Sequence, residues 1–83
     1  MEKQKVLDFL DFLIKELVSN KEAVNIEFTE EDNAYNIIVK VDKEDIGKLI
    51  GKGGKTADSI RMITRTVAGK TDKRLFVKIN EIV

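Results

Sequence analysis

The chain contains no cysteine, histidine, proline or tryptophan, and each absence closes a class of function. Without cysteine there are no disulfides, no zinc–thiolate centres and no thiol nucleophile. Without histidine the commonest metal ligand and the commonest general base are missing. No proline-rich, low-complexity or repeated segment marks a linker, so the 83 residues are expected to form one domain, 1–83. Long apolar runs are absent too: none approaches the roughly 20 residues of a membrane-spanning helix. Lys3 and Lys5 precede an apolar stretch, but Asp8, Asp11 and Lys15 interrupt what a signal peptide would keep apolar. A cytoplasmic location with no membrane partner is expected. The carboxylate pair Glu30-Glu31 is the best catalytic candidate, and it sits in a polar stretch with no apolar pocket to shift its pKa. No enzymatic activity, metal or cofactor is therefore expected.

What the chain does have is charge, in balance overall and unbalanced along its length. Charged residues make up 36% of it, with 15 basic and 15 acidic side chains. Residues 1–45 carry 6 basic and 12 acidic groups, whereas residues 46–83 carry 9 basic and 3 acidic. Sequence halves need not be spatial halves, but an anionic partner belongs with the second.

The hydrophobic pattern changes period along the chain. From Lys3 to Ser19, Val6, Leu10, Leu13 and Leu17 recur at helical spacing, with Asp8, Asp11 and Lys15 on another face. Ser19-Asn20 ends this helix, Asn being tolerated where a left-handed residue is needed. Phe9 and Phe12 broaden the apolar stripe beyond one core-facing side and point to a second contact surface. Alternation then takes over: Val24, Ile26 and Phe28 form one strand, residues 29–33 a polar turn, and Tyr35, Ile37, Val39 and Val41 a second strand, a hairpin over 23–41. Asp42 is a plausible N-cap for a short helix through Ile46 and Leu49 that stops at Gly51. A longer helix from Thr56 to Ala68 turns Ala57, Ile60, Ile63, Thr64 and Val67 inward and is closed by Gly69. Leu75, Val77 and Ile79 alternate in a last strand over 74–81. The order αββααβ predicts an α+β domain, with helices on one face of a three-stranded mixed sheet.

Four of the five glycines fall within the eight residues Gly47 to Gly54, interleaved with Lys48, Lys52 and Lys55. Glycine loses the most backbone freedom on folding, so its concentration between two helices suggests close approach of a ligand to bare backbone. The following helix aims its positive end at the same place, which with the lysines makes a phosphate site. A simple helix–helix turn would need one or two glycines and no flanking lysines. Two nucleotide loops fail: a Walker A motif ending Gly54-Lys55-Thr56 would need glycine where Leu49 stands, and G-x-G-x-x-G from Gly51 would need it at Thr56.

G-x-x-G fits Gly51-Lys52-Gly53-Gly54, preceded by Leu49-Ile50 and followed by Lys55-Thr56 and Ile60. The stretch resembles the KH domain, whose GXXG loop clamps the backbone of about four single-stranded nucleotides. The αββααβ order is similar to the type II arrangement of that domain, and the length resembles the KhpA family of small bacterial single-KH RNA-binding proteins. The resemblance implies that Gly51, Lys52, Gly53 and Gly54 contact phosphates, helped by Lys48, Lys55 and Thr56. It implies that Ile46, Leu49 and Ile50 line an apolar groove for bases, that Gly47 leaves room beside it, and that the second strand (Val39, Val41) or the third forms the opposite wall. Arg61 and Arg65 share a helix face, and either extend the cationic track or are solvated surface. No aromatic residue lies in the motif, so recognition would rest on aliphatic packing, backbone hydrogen bonds and phosphate contacts.

The expected partner is single-stranded RNA, single-stranded DNA being left open, with a role as an RNA chaperone or post-transcriptional regulator. The resemblance also implies a homodimer and a heterodimer with a larger KH-containing RNA-binding protein. The alternative is a protein–protein interaction module on the same scaffold, using Phe9, Phe12, Ile38, Met62 or Phe76 as its surface.

Overall fold

The computed structural model describes residues 1–82. The elements follow in the order α1 (Lys3–Leu17), β1 (Asn25–Glu31), β2 (Ala34–Val41), α2 (Ile46–Ile50), α3 (Lys55–Ala68) and β3 (Arg74–Glu81), with short 3-10 turns at Lys21–Ala23 and Lys52–Gly54. The sheet is three-stranded and mixed, in the order β1-β2-β3. β1 and β2 pair antiparallel, with Glu31 opposite Ala34, so β1 runs on through Thr29–Glu31 and only Asp32-Asn33 make the turn. β3 returns parallel to β2, with Val77 beside Ile37. A parallel return needs a crossover, and α2, the loop and α3 supply it.

β2 and β3 bury one face, while β1 is at most half-buried. Ile37, Val39 and Val41 of β2, with Leu75, Val77 and Ile79 of β3, meet Val6, Leu10, Ile14 and Val18 around α1, Leu49 of α2, and Ala57, Ile60 and Ala68 of α3 in one apolar cluster. Thr64 is also buried, its hydroxyl donating to the Ile60 carbonyl at 2.6 Å. Two inward assignments shift. The core stripe of α1 is Val6-Leu10-Ile14, while Leu13 is half-buried and Leu17 exposed. Nine apolar residues between Val6 and Val18 permit two overlapping stripes, and the i, i+4 one meets the sheet. Ile63 is likewise exposed; Ala68 takes the fourth inward place on α3.

The exit from α1 differs most from the sequence expectation. The helix ends at Leu17, and Val18 is already extended. Asn20 has a φ of −93°, so it is not a left-handed cap. The outgoing amides of Ser19 and Asn20 instead donate to the two carboxylate oxygens of Asp45, at 3.0 and 2.9 Å. The Lys21 ammonium donates to the Lys15 and Val18 carbonyls, placing a cation at the negative end of α1. Asp42 caps a turn rather than α2: its carboxylate accepts the Glu44 amide at 3.0 Å, and its carbonyl accepts the Asp45 amide at 2.8 Å. At the far end of the sheet, the Tyr35 hydroxyl donates to Asp72 at 2.8 Å and Lys73 pairs with Glu30 at 2.7 Å.

Asp45 is a buried charge, 2% exposed, and its two backbone donors with Lys48 at 3.2 Å satisfy it. The amides of Asn20 and Ser19, then Lys48, hold its carboxyl below the ordinary carboxylate value of 3.8, against the opposing effect of burial. A carboxylate depressed on folding contributes stability above its unfolded pKa, and that contribution is lost as pH falls through the folded pKa. The Asp45→Asn variant should therefore be less stable than the native chain at neutral pH and lose less stability on acidification below about pH 4. Urea unfolding at neutral and acid pH checks this; equal pH sensitivity would contradict it.

Candidate nucleic-acid interface

Five residues are too few for an independently stable helix, so α2 is positioned by its anchors. Leu49 is fully buried, and Asp45 at its start grips the exit of α1. The same junction takes up Lys48, whose ammonium pairs with Asp45 and donates to the Ser19 hydroxyl. Two expected contact residues therefore have other employment: Lys48 neutralises a buried carboxylate, and Leu49 belongs to the core. Ile46 and Ile50, half-buried against that core, are left as the apolar surface of α2.

Gly51 closes α2, its amide donating to the Gly47 carbonyl at 2.9 Å. Its φ of 73° and ψ of 174° lie in a region essentially restricted to glycine. A Cβ there would lie 2.2 Å from the Thr56 hydroxyl and 2.9 Å from the Thr56 amide nitrogen. The loop is thus folded back until its first residue touches the start of α3, and Thr56 serves as the surface it packs on. Gly54, left-handed at φ 77°, turns the chain into α3.

No side chain caps the N-terminus of α3. The Gly54 amide returns to the Gly51 carbonyl at 3.2 Å, whereas those of Lys52 and Gly53 donate to no carbonyl among the described backbone bonds. Free amides at a helix N-terminus bind anions. Lys52 and Lys55, both exposed, stand on either side without an ion-pair partner among the described residues. Of the nine basic residues after position 45, Lys48, Arg61 and Lys73 are paired, and Lys52, Lys55, Arg65, Lys70, Arg74 and Lys78 have no ion-pair partner among the described residues. The charge excess of the second half survives folding as unpaired cations.

The wall facing α2 is β3. β2 lies between two strands, and Val39 and Val41 are fully buried, so neither is available to a ligand. β3 is an edge strand against which both α2 and α3 pack. Arg61 reaches it: its Nε donates to the Val77 carbonyl at 3.0 Å, while its terminal nitrogen pairs with Asp58 at 3.2 Å. That bond occupies the Val77 carbonyl on the outer side of the strand. Arg61 is thus a latch on the strand edge, and Arg65, one turn on, is exposed and has no ion-pair partner among the described residues.

Sequence reasoning does not single out Asp45, reads Thr56 only as a phosphate contact, and leaves the third strand as one of two candidate walls. Asp45 bonds partners 25 and 26 residues away, and no local pattern announces such a pairing. The packing of Thr56 on Gly51 is visible only in three dimensions. Strand order alone distinguishes β3 from β2 as the exposed wall.

Gly47 contrasts with Gly51. It sits within α2, is exposed, lacks a positive φ, and nothing lies within 4 Å of a Cβ placed on it. The fold does not require glycine there. Gly47→Ala should preserve or raise stability by about 0.5–1 kcal/mol through helix propensity. Gly51→Ala should lower it by about 1–3 kcal/mol from backbone strain, with the Thr56 contact adding to that. Denaturant titration of the two variants distinguishes them.

Comparison with known proteins agrees with this fold. A family model described as the KH domain of KhpA/KhpB matches residues 7–79. The chain is 35% identical over 74 residues to the RNA-binding protein KhpA of Aquifex aeolicus, covering 89% of this chain and 94% of that one. It is 38% identical over 69 residues to RNA-binding protein KhpA of Listeria monocytogenes, with 83% and 91% covered. Against RNA-binding protein KhpA of Chlamydia caviae the identity is 36% over 74 residues, with 89% and 95% covered. No solved structure matches significantly. With its glycine loop between two helices, its mixed sheet and a family match over most of its length, the chain belongs to the KhpA/KhpB KH-domain family.

Proposed function

We propose that this protein binds single-stranded RNA, held by its phosphate backbone over Gly51–Gly54 with its bases against Ile46, Ile50 and the edge of β3. The observation that carries the reading is an uncapped α3 N-terminus flanked by two unpaired lysines, on a loop folded back by the Gly51–Thr56 contact. The relatives named as RNA-binding proteins support it. Lys52 and Lys55 neutralise phosphate charge, the loop amides supply directional hydrogen bonds, and the open space at Gly47 admits a base. Binding by such a loop requires no bond-breaking chemistry. The role is that of an RNA chaperone or post-transcriptional regulator in the cytoplasm.

Self-association is a second part of the reading. Phe12 and Met62 are 66% and 65% exposed, and Ile63 is 45% exposed, on helices α1 and α3 that pack together. A homodimer through these helices, or a heterodimer with a larger KH-containing RNA-binding protein, would cover them. Two linked loops would then gain avidity without new contacts.

With about 2–4 phosphates neutralised, log affinity should fall with log salt at a slope of about −1.5 to −3. The double substitution Lys52→Asp, Gly53→Asp should fold, because aspartate tolerates a positive φ and nothing lies within 4 Å of a Cβ at Gly53. It should bind short single-stranded RNA at least about tenfold more weakly, by charge reversal at a phosphate site. Gly47→Ala should also weaken binding while remaining folded. Fluorescence anisotropy, with circular dichroism as the folding control, reads these outcomes; undiminished binding by the double variant would remove the loop from the mechanism.

A further inference from the structure

The helices cover one face of the sheet and leave the other open. There β3 presents Arg74, Phe76 and Lys78 at successive outward positions, all three exposed. Such positions lie roughly 6.4–6.8 Å apart along a strand. Neither Arg74 nor Lys78 has an ion-pair partner among the described residues. β2 sets Asn36 opposite Phe76 and Ile38 opposite Lys78, so the ring stands between two cations beside an amide. Glu27 and Glu31 of this face lie on β1, beyond β2, and Glu27 is held by Lys40 at 2.9 Å; Asp32 and Asp72 line the cleft at the Arg74 end, and Asp72 accepts the Tyr35 hydroxyl. Phe76 is outside the core and 39% exposed, so packing does not account for an aromatic there.

We infer that this strip is a second contact for single-stranded RNA: a base stacks on Phe76 while the flanking phosphates meet Arg74 and Lys78. An exposed aromatic on a sheet face, with cations beside it, suits nucleic-acid bases because every base offers a π-face. The strip is continuous with the loop site. Arg61 lies at the β3 edge on the carbonyl of Val77, between Phe76 and Lys78 in sequence. A strand leaving the loop past Arg61 crosses that edge onto the open face. Two copies of this face stacked about a twofold axis would bring the same unpaired cations together, whereas a phosphate backbone neutralises them. The inference rests on the RNA reading of the glycine loop and extends it to a longer site.

The test uses two fluorescein-labelled oligouridylates, of about five nucleotides, enough for the loop, and of about twelve. The native chain should bind the longer one more tightly. Phe76→Ala should remove about 5- to 10-fold of affinity for the longer RNA and leave the shorter unchanged. Arg74→Gln with Lys78→Gln should reduce the salt slope for the longer RNA by about 1.4. Because the chain has no tryptophan, Phe76→Trp gives a single reporter, whose emission should be quenched by the longer RNA and not by the shorter. Equal affinity of native and Phe76→Ala chains for the longer RNA overturns the inference, as does an equal loss at both lengths. Emission that changes with protein concentration and not with RNA assigns the face to a second copy and also overturns it. The loop reading fails separately, if Lys52→Asp, Gly53→Asp leaves binding of the shorter RNA intact; no binding at either length removes both.

Discussion

Everything the glycine loop can do depends on one buried carboxylate. Asp45 receives the backbone where the chain leaves α1, and it stands immediately before the five-residue helix that ends in the loop. A helix so short holds its direction only through tertiary contacts, and Asp45 and Leu49 supply them from opposite ends. The arrangement also consumes a lysine: Lys48 lies in the densest cationic stretch of the sequence, but its charge answers Asp45. The charge left for a ligand is that of Lys52 and Lys55, with further unpaired cations along α3 and β3.

The glycines divide the labour between geometry and access. At Gly51 the backbone conformation and the contact with Thr56 both exclude a side chain, so the residue makes the shape of the loop. At Gly47 the backbone is ordinary and the space is open, so the fold itself gives no reason for the missing side chain. A glycine that the fold does not need is a stronger pointer to a ligand than one that it does. Together with an α3 N-terminus that no side chain caps among the described residues, it is the basis on which this corner is proposed as a phosphate site.

The strands were legible because one-sided burial leaves strict alternation: the inward residues of β2 and β3 are those the period-two pattern selects. The α+β class and element order follow from the same changes of period. The helix stripes were less legible. Both α1 and α3 carry more apolar residues than the core buries, so Leu17 and Ile63 fit a helical pattern in sequence and are exposed, while Leu13 is only half-buried at the core's margin. Helix ends misled for a related reason: Asn20 and Asp42 are good capping residues by type, but a carboxylate distant in sequence takes the outgoing amides and a local turn takes Asp42. At the candidate site, the glycine–lysine stretch stood out by composition, whereas the commitment of Lys48 and Leu49 to the interior did not. The choice between β2 and β3 as the groove wall required the strand order, which puts β2 in the middle.

An RNA clamp at the start of α3 requires that a short ligand perturb a small, contiguous set of backbone amides. A titration of isotopically labelled protein with a single-stranded RNA of about four nucleotides, followed by amide chemical shifts, tests this most directly. The largest shifts should fall on Gly51 to Ala57, with Gly47 and the β3 edge near Val77 next, and β1 should stay unmoved. Shifts concentrated on the exposed residues of α1 and α3, with the loop amides unchanged, would contradict the clamp and make the helical face the functional surface.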